Sequence, residues 1–337
     1  HRRQRQMCIS DRTGPGINAV QLSDYRTDST NKRRCIYFRE PTITDDGSGV
    51  IFSASFTTIT DQGPDFENNL YLLDQQTREI VVLNQEGVEH PRDIWDFTPS
   101  VSDDGSAIVF QDVIGNAASN DQTSCNQQTD SISCTKVFLY DRLKKVTEIL
   151  TPTLDEKALT GPNILPTISA DGRWIVFWSA DEGLLHAEGN TCAGDDATVH
   201  CWNFVILDRE TSEILTLPVE RVNSPYATWD FEPLSLSRDG ELIAFTLHRS
   251  DRLAAELKIE NQTESLLFDR AEGEYQFLNT TDNGKTGNGP STNAVLSTDG
   301  QFAVFSSSAG NLVNNDTNEA TVVFVRDLTS RQIKRIS

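Results

Sequence analysis

One short signature recurs five times along this chain: a Ser or Thr, any residue, then Asp-Gly, set between two runs of alternating hydrophobicity. The Asp-Gly pairs are Asp46-Gly47, Asp104-Gly105, Asp171-Gly172, Asp239-Gly240 and Asp299-Gly300. The surrounding segments read PTITDDGSGVIFSAS from Pro41, PSVSDDGSAIVFQDV from Pro99, PTISADGRWIVFWSA from Pro166, PLSLSRDGELIAFTL from Pro233 and NAVLSTDGQFAVFSS from Asn293. After a loop, each is followed by a second apolar run ending in Asp74, Asp141, Asp208, Asp269 or Asp327, and then by a third run. A repeat of this length points to an array of identical supersecondary units. Asp-Gly between alternating runs is a hairpin signal, because glycine takes positive φ without a Cβ clash. Runs such as AIVF and WIVF suit a pleated, buried sheet. Each unit is therefore expected to be a four-stranded antiparallel meander, A to D. Such a sheet cannot bury both faces alone, and radial repetition solves this, so the expected fold is all-β, a β-propeller.

The pattern xPxhSxDGxxhhFxS, followed by hhhhD and a last apolar strand, resembles the TolB-like, WD-like repeat family. Five copies cover residues 41–337. The resemblance implies a propeller that holds protein partners at the cell envelope, and commonly six or more blades. Residues 1–40 hold two further strand candidates, INAVQLSDY from Ile17 and RRCIYF from Arg33, read here as a partial or degenerate extra blade.

Insertions are confined to two of the connections. The B–C loops fall at about 56–69, 112–136, 179–202, 247–264 and 307–321, and the D–A loops at about 84–97, 151–165, 218–232 and 279–292. In a meander these two connections emerge at the same end of the sheet. One face of the molecule is thus rich in loops and the other is trimmed, and long loops on a rigid scaffold are where binding resides.

Six cysteines fix the expected compartment. Cys125 and Cys134 occupy one B–C loop, Cys192 and Cys201 the equivalent loop of the next unit, and each second cysteine immediately precedes strand C. This equivalence predicts disulfides Cys125–Cys134 and Cys192–Cys201, leaving Cys8 and Cys35 as a third pair. Three disulfides imply an oxidising compartment, extracellular or periplasmic. The rival reading, metal thiolates, lacks any CxxC pair. The formal charge of −21 argues against nucleic acid and against anionic lipid, and it suits a solvated exterior, cationic partners or divalent ions. No apolar run approaches the roughly 20 residues of a membrane span.

Several residues are candidates for chemistry. A WDF triplet precedes two strand-A segments, Trp95-Asp96-Phe97 and Trp229-Asp230-Phe231. It reads either as an aromatic platform at the channel mouth, widened by Trp178 and Trp202, or as a wedge between blades. His186, His200 and His248, with Arg249, would be the base and cation of a polysaccharide lyase if they converge. Asn314, Asp316 and Asn318, in NLVNNDTNEA, offer oxygen ligands to calcium, as do Asp195 and Asp196, without the spacing of an EF-hand. Asn261, Asn279 and Asn315 begin Asn-X-Thr sequons, glycan sites in a eukaryotic source and chance matches in a bacterial one. The sequence thus points to an exported, non-catalytic binding or assembly module with a protein or carbohydrate partner. The alternatives are a structural subunit that self-assembles into an extracellular polymer or surface layer, and a carbohydrate-active enzyme of lyase type.

Overall fold

The computed structural model describes residues 35–60, 63–84, 97–113, 135–150, 161–181, 184, 200–223, 231–314 and 320–336. These form five four-stranded antiparallel sheets, each in simple meander order. Blade 1 comprises β1 (Cys35–Ile43), β2 (Gly49–Thr60), β3 (Gly63–Asp74) and β4 (Ile80–Val82). Blade 2 comprises β5 (Ser100–Val101), β6 (Ala107–Val113), β7 (Thr135–Asp141) and β8 (Val146–Ile149). Blade 3 has β9 (Asn163–Ile168), β10 (Trp174–Ser179), β11 (His200–Asp208) and β12 (Ile214–Asn223). Blade 4 has β13 (Ser235–Leu236), β14 (Leu242–His248), β15 (Thr263–Asp269) and β16 (Glu274–Phe277). Blade 5 has β17 (Ser291–Leu296), β18 (Phe302–Ser307), β19 (Val322–Asp327) and β20 (Ile333–Arg335). First strands of consecutive blades lie side by side, the arrangement of a β-propeller.

The side-chain alternation of each second strand explains the stacking. In β6, Ile108 and Phe110 join Ile51, Leu70 and Leu72 of blade 1. Ala107 and Val109, on the other face, join Ile175, Phe177 and Val205 of blade 3. Likewise Val176 and Trp178 of β10 meet Ile243 and Phe245 of blade 4, while Ala244 packs with Ala303, Phe305 and Phe324 of blade 5. A strand buried on both faces must be apolar at every position, as AIVF and WIVF are.

The Asp-Gly turns differ from a two-residue hairpin loop. Gly105 N donates to Ser102 O, Gly105 alone takes positive φ (67°), and Asp103 and Asp104 are the central residues. The Ser102 hydroxyl donates to Asp104 Oδ1 at 2.7 Å and accepts from Ala107 N at 3.1 Å, while Asp104 Oδ1 also accepts from Ser106 N. The same three bonds recur at Thr44, Ser169, Ser237 and Ser297. The Ser/Thr-x-Asp-Gly signature is thus a self-contained hydrogen-bonded turn.

The structure adds three points to these expectations. β1 (Cys35–Ile43) runs across the expected boundary at residue 40, and residues 1–34 lie outside the described residues. The loop expected over 56–69 is instead a long hairpin, with β2 and β3 paired from Gly49↔Asp74 to Thr60↔Gly63, because the alternating β-branched run continues through it. The loop over 247–264 contains a short helix, α1 (Arg252–Glu256), which buries Leu253 and Ala254. No helix among the described residues is long and apolar enough to cross a membrane.

Candidate functional site

The repeat's opening proline turns out to mark a site. A cavity of about 390 Å³ opens where the first strands of blades 1 to 4 converge, lined by Pro41, Pro99, Pro166 and Pro233 with Thr42, Thr98, Ser100, Leu165 and Thr167. Every lining side chain among the described residues is uncharged. Pro41 and Thr42 lie near the end of β1 and Leu165–Thr167 within β9, while Thr98, Pro99 and Pro233 come just before β5 and β13. The cavity is therefore a mouth of the channel that the first strands line.

Local backbone geometry builds this mouth. Thr98 and Leu165, each just before a proline, take φ of 43° and 54°, and Asn293, at the same distance from its turn in blade 5, takes 56°. The ladder slips at these points in blades 3 and 5, and at the matching Arg39/Thr42 step in blade 1. A bulge releases backbone from pairing, and a proline there costs the ladder no N–H. In blade 4 the proline itself, Pro233, holds the bulge position and positive φ is forbidden. A β-branched residue at positive φ costs on the order of 1 kcal/mol, so the surroundings must hold Thr98 in place.

Neighbouring blades are zipped by the hydroxyls two residues before the turn serine. Ser100 Oγ accepts from Ile168 N at 3.2 Å, Thr167 Oγ1 donates to Leu234 O at 2.8 Å, and Ser235 Oγ accepts from Leu296 N at 2.9 Å. Other polar side chains fix the bulges. Gln111 accepts from Leu165 N at 2.7 Å, and Glu232 accepts from Asn293 N at 3.0 Å and from the Thr246 hydroxyl. The hydroxyls of Ser100 and Thr167 thus brace the wall of the cavity.

A second set of polar residues escaped the sequence reading. Lys136 and Glu264 occupy the same place, five residues before the aspartate that ends strand C, and both are fully buried. Lys136 Nζ bonds Gly161 O and pairs with Asp181 at 3.3 Å. Burial pushes its ammonium pKa down, against the pull of Asp181. Glu264 accepts from Asn261 at 2.6 Å, from Asn279 and from Ser291, and burial raises its pKa. Both pin the crossover into the next blade. At that crossover the pairs Gly161-Pro162 and Gly289-Pro290 recur, and a Cβ on Gly161 would lie 2.1 Å from Ala180 O. A polar residue opening an apolar strand, and a repeated Gly-Pro, were the legible signals.

The sequence candidates fare unevenly. Trp178 and Trp202 are 1% exposed and meet Phe231 edge-on or tilted at 4.8 and 4.7 Å. They are wedges between blades 3 and 4, so an exposed platform built on them is ruled out by burial. Trp95 and Trp229 lie outside the described residues, and the Phe97 and Phe231 that end their triplets are buried core. His248 is half-buried at the end of β14, with its N–H on Asp251. His200 opens β11, and His186 lies outside the described residues. Asn314 is exposed, while Asp316 and Asn318 lie outside, as do Asp195 and Asp196. Among the described residues no three His, Cys, Asp or Glu side chains cluster as metal ligands. Asn279 is fully buried and its Nδ2 donates to Glu264, while Asn261 Nδ2 donates to both Glu264 and Gly287 O. The nitrogen a glycan would use is built into the blade 4–5 junction at both positions, which removes the fully buried Asn279 as a displayed glycan site. Asn315 lies outside the described residues. Of the cysteines, Cys35 opens β1 and Cys201 lies in β11, and the other four lie outside.

No protein-family model matches the sequence, and no curated protein matches it. Solved structures with a similar course include TolB from Acinetobacter baumannii, 16% identical with a TM-score of 0.43 over 88% of this chain and 53% of that one. A putative TolB from Agrobacterium tumefaciens is 11% identical, with a TM-score of 0.46 over 89% of this chain and 80% of that one. The β-propeller domain of the trilobed protease from Pyrococcus furiosus is 12% identical, with a TM-score of 0.37 over 90% and 83%. The chain spans about half the length of the A. baumannii protein. The fold is a β-propeller, as its own five four-stranded sheets establish.

Proposed function

We propose that the protein is an exported binding module whose channel mouth receives a segment of a partner protein. The observation that carries this reading is the mouth itself, a cavity of about 390 Å³ with an uncharged lining of proline, threonine, serine and leucine. Such a surface offers apolar contact area and a few fixed polar groups at little ordering cost, the usual chemistry of a preformed site. An uncharged mouth in a molecule of net charge −21 admits a chain that the acidic exterior would otherwise repel. Export rests on the paired spacing of the cysteines, and a count of free thiols in the native protein tests it.

The function is tested by filling the mouth. Thr42→Trp and Pro41→Trp add bulk there and leave the blade-to-blade bond of Thr167 untouched. A partner captured by the wild-type chain from its native extract should be lost from both variants while their melting temperatures stay close to wild type. Equal capture by folded variants would contradict the proposal.

A further inference from the structure

A second cavity, of about 470 Å³, lies at the outer rim between blades 4 and 5, far along the sheets from the channel mouth. Its walls are β16, the loop Thr280–Gly284 and the end of β19 with the turn that follows, and Arg326 and Arg331 both line it. The loop is fixed. Thr280 bridges Thr286, Asp282 Oδ1 accepts from Ile333 N at 2.9 Å, and Arg326 Nη1 donates to Thr280 O at 2.6 Å and to Leu278 O at 3.3 Å.

Arg326 breaks the repeat. The residue before the strand-C aspartate is Leu73, Tyr140, Leu207 and Phe268 in blades 1 to 4, each of them buried, and arginine only in blade 5. At 7% exposure this guanidinium has two backbone carbonyls on one nitrogen and no ion pair among the described residues. Buried charges are ordinarily paired. Burial lowers its pKa, Asp282 opposes the shift, and the nearby charge of Arg331 lowers it further. Arg331 is exposed, with φ of 59° in the turn. Two guanidiniums with no ion-pair partner among the described residues thus face one cavity in a strongly acidic protein. A local rule broken without an internal gain marks a functional position. Glu274 and Asp282 share the lining, with Gln276 and Phe277. The two carboxylates disfavour a dianion such as phosphate and accept from hydroxyl donors.

We propose that this rim cavity binds a small hydroxy-carboxylate, its carboxylate on Arg326 and Arg331 and its hydroxyls on Asp282 and Glu274. The paired, planar donors of arginine suit a carboxylate. Calorimetric titration of the whole chain at low salt tests this, with gluconate as the probe and glucose and inorganic phosphate as comparators. Gluconate should bind saturably, glucose should not, and phosphate should bind more weakly than gluconate. Arg331→Gln, at an exposed position, should weaken gluconate about tenfold, the worth of one charge-assisted hydrogen bond. Arg326→Gln should abolish binding if it folds. Absence of gluconate binding, tighter binding of phosphate, or an Arg331→Gln variant with unchanged affinity would each overturn the proposal. The channel-mouth variants Thr42→Trp and Pro41→Trp should leave gluconate binding intact, so the two readings stand or fall separately.

Discussion

Asp74 shows how much the end of a strand can ask of one carboxylate. Its Oδ1 accepts from the backbone N–H of Thr77 and Gln76, both at 2.9 Å, and its Oδ2 takes a 2.7 Å bond from Arg142 of the next blade. The backbone bond from Thr77, then Arg142, holds its pKa down to about 2 from 3.8. Asp46, bonded by Thr44, and Asp327, bonded by Ser330 N–H, are lowered too. A folded value below the unfolded one means that the contribution is complete above the unfolded pKa and is lost as pH falls through the folded one. For Asp74 that window runs from 3.8 down to about 2. Glu264, raised by burial, has the opposite sign and loses its contribution as pH rises through its folded value. Urea melts from pH 7 to 2 should therefore show stability falling steeply below pH 4. Asp74→Asn should be weaker than wild type at pH 7 and show a shallower fall in acid. Parallel pH curves for the two proteins would refute this role for Asp74.

Between elements, the junctions carry the specificity. Arg221 of β12 forks onto Asp251, beside α1, at 2.9 and 2.8 Å, and also reaches Thr246 O at 3.1 Å. Both side chains are buried, and the guanidinium lies over Trp178 at 4.6 Å. Blades 3 and 4 are thus joined by a desolvated ion pair inside an aromatic cluster. Asp251→Asn strands a buried charge and should cost about 3–5 kcal/mol in a urea melt, whereas Arg221→Met with Asp251→Leu should recover most of it. A loss under about 1 kcal/mol for the single variant would mean that the pair is solvated. None of this was legible in the sequence. Arg221 and Asp251 are separated by a whole strand-to-strand crossover, and neither belongs to the repeat. What was legible is what the repeat carries. The Ser/Thr-x-Asp-Gly turns, the strand-C aspartates and the alternation of each second strand depend on local sequence, and all five blades follow from them. The hairpin of β2 and β3 was missed because FTTIT lies beyond the repeated core, where nothing marks continuation over a loop. The mouth was half legible. The prolines were visible as a pattern, but their convergence needs the radial arrangement, and the bulge at Thr98 has no sequence signature of its own.

Across the whole molecule, the turns and the loops divide the work. The trimmed face is locked by backbone bonds from blade to blade, Asp103 N to Ala170 O, Asp171 N to Arg238 O and Arg238 N to Thr298 O at 2.7–3.0 Å. On the same face Arg238 of blade 4 also pairs with Asp103 of blade 2, across blade 3. The D–A and B–C connections leave from the opposite ends of the strands. Under the proposed function, a partner enters at the channel mouth rather than at the locked turns. Site-specific photo-cross-linking tests this most directly, with a photoreactive residue placed either at Thr42 in the mouth or at Leu143, 85% exposed in a turn of the trimmed face. In the native extract, the probe at Thr42 should capture a discrete partner protein and the probe at Leu143 should not. The same partner from Leu143, with none from Thr42, would contradict binding at the mouth.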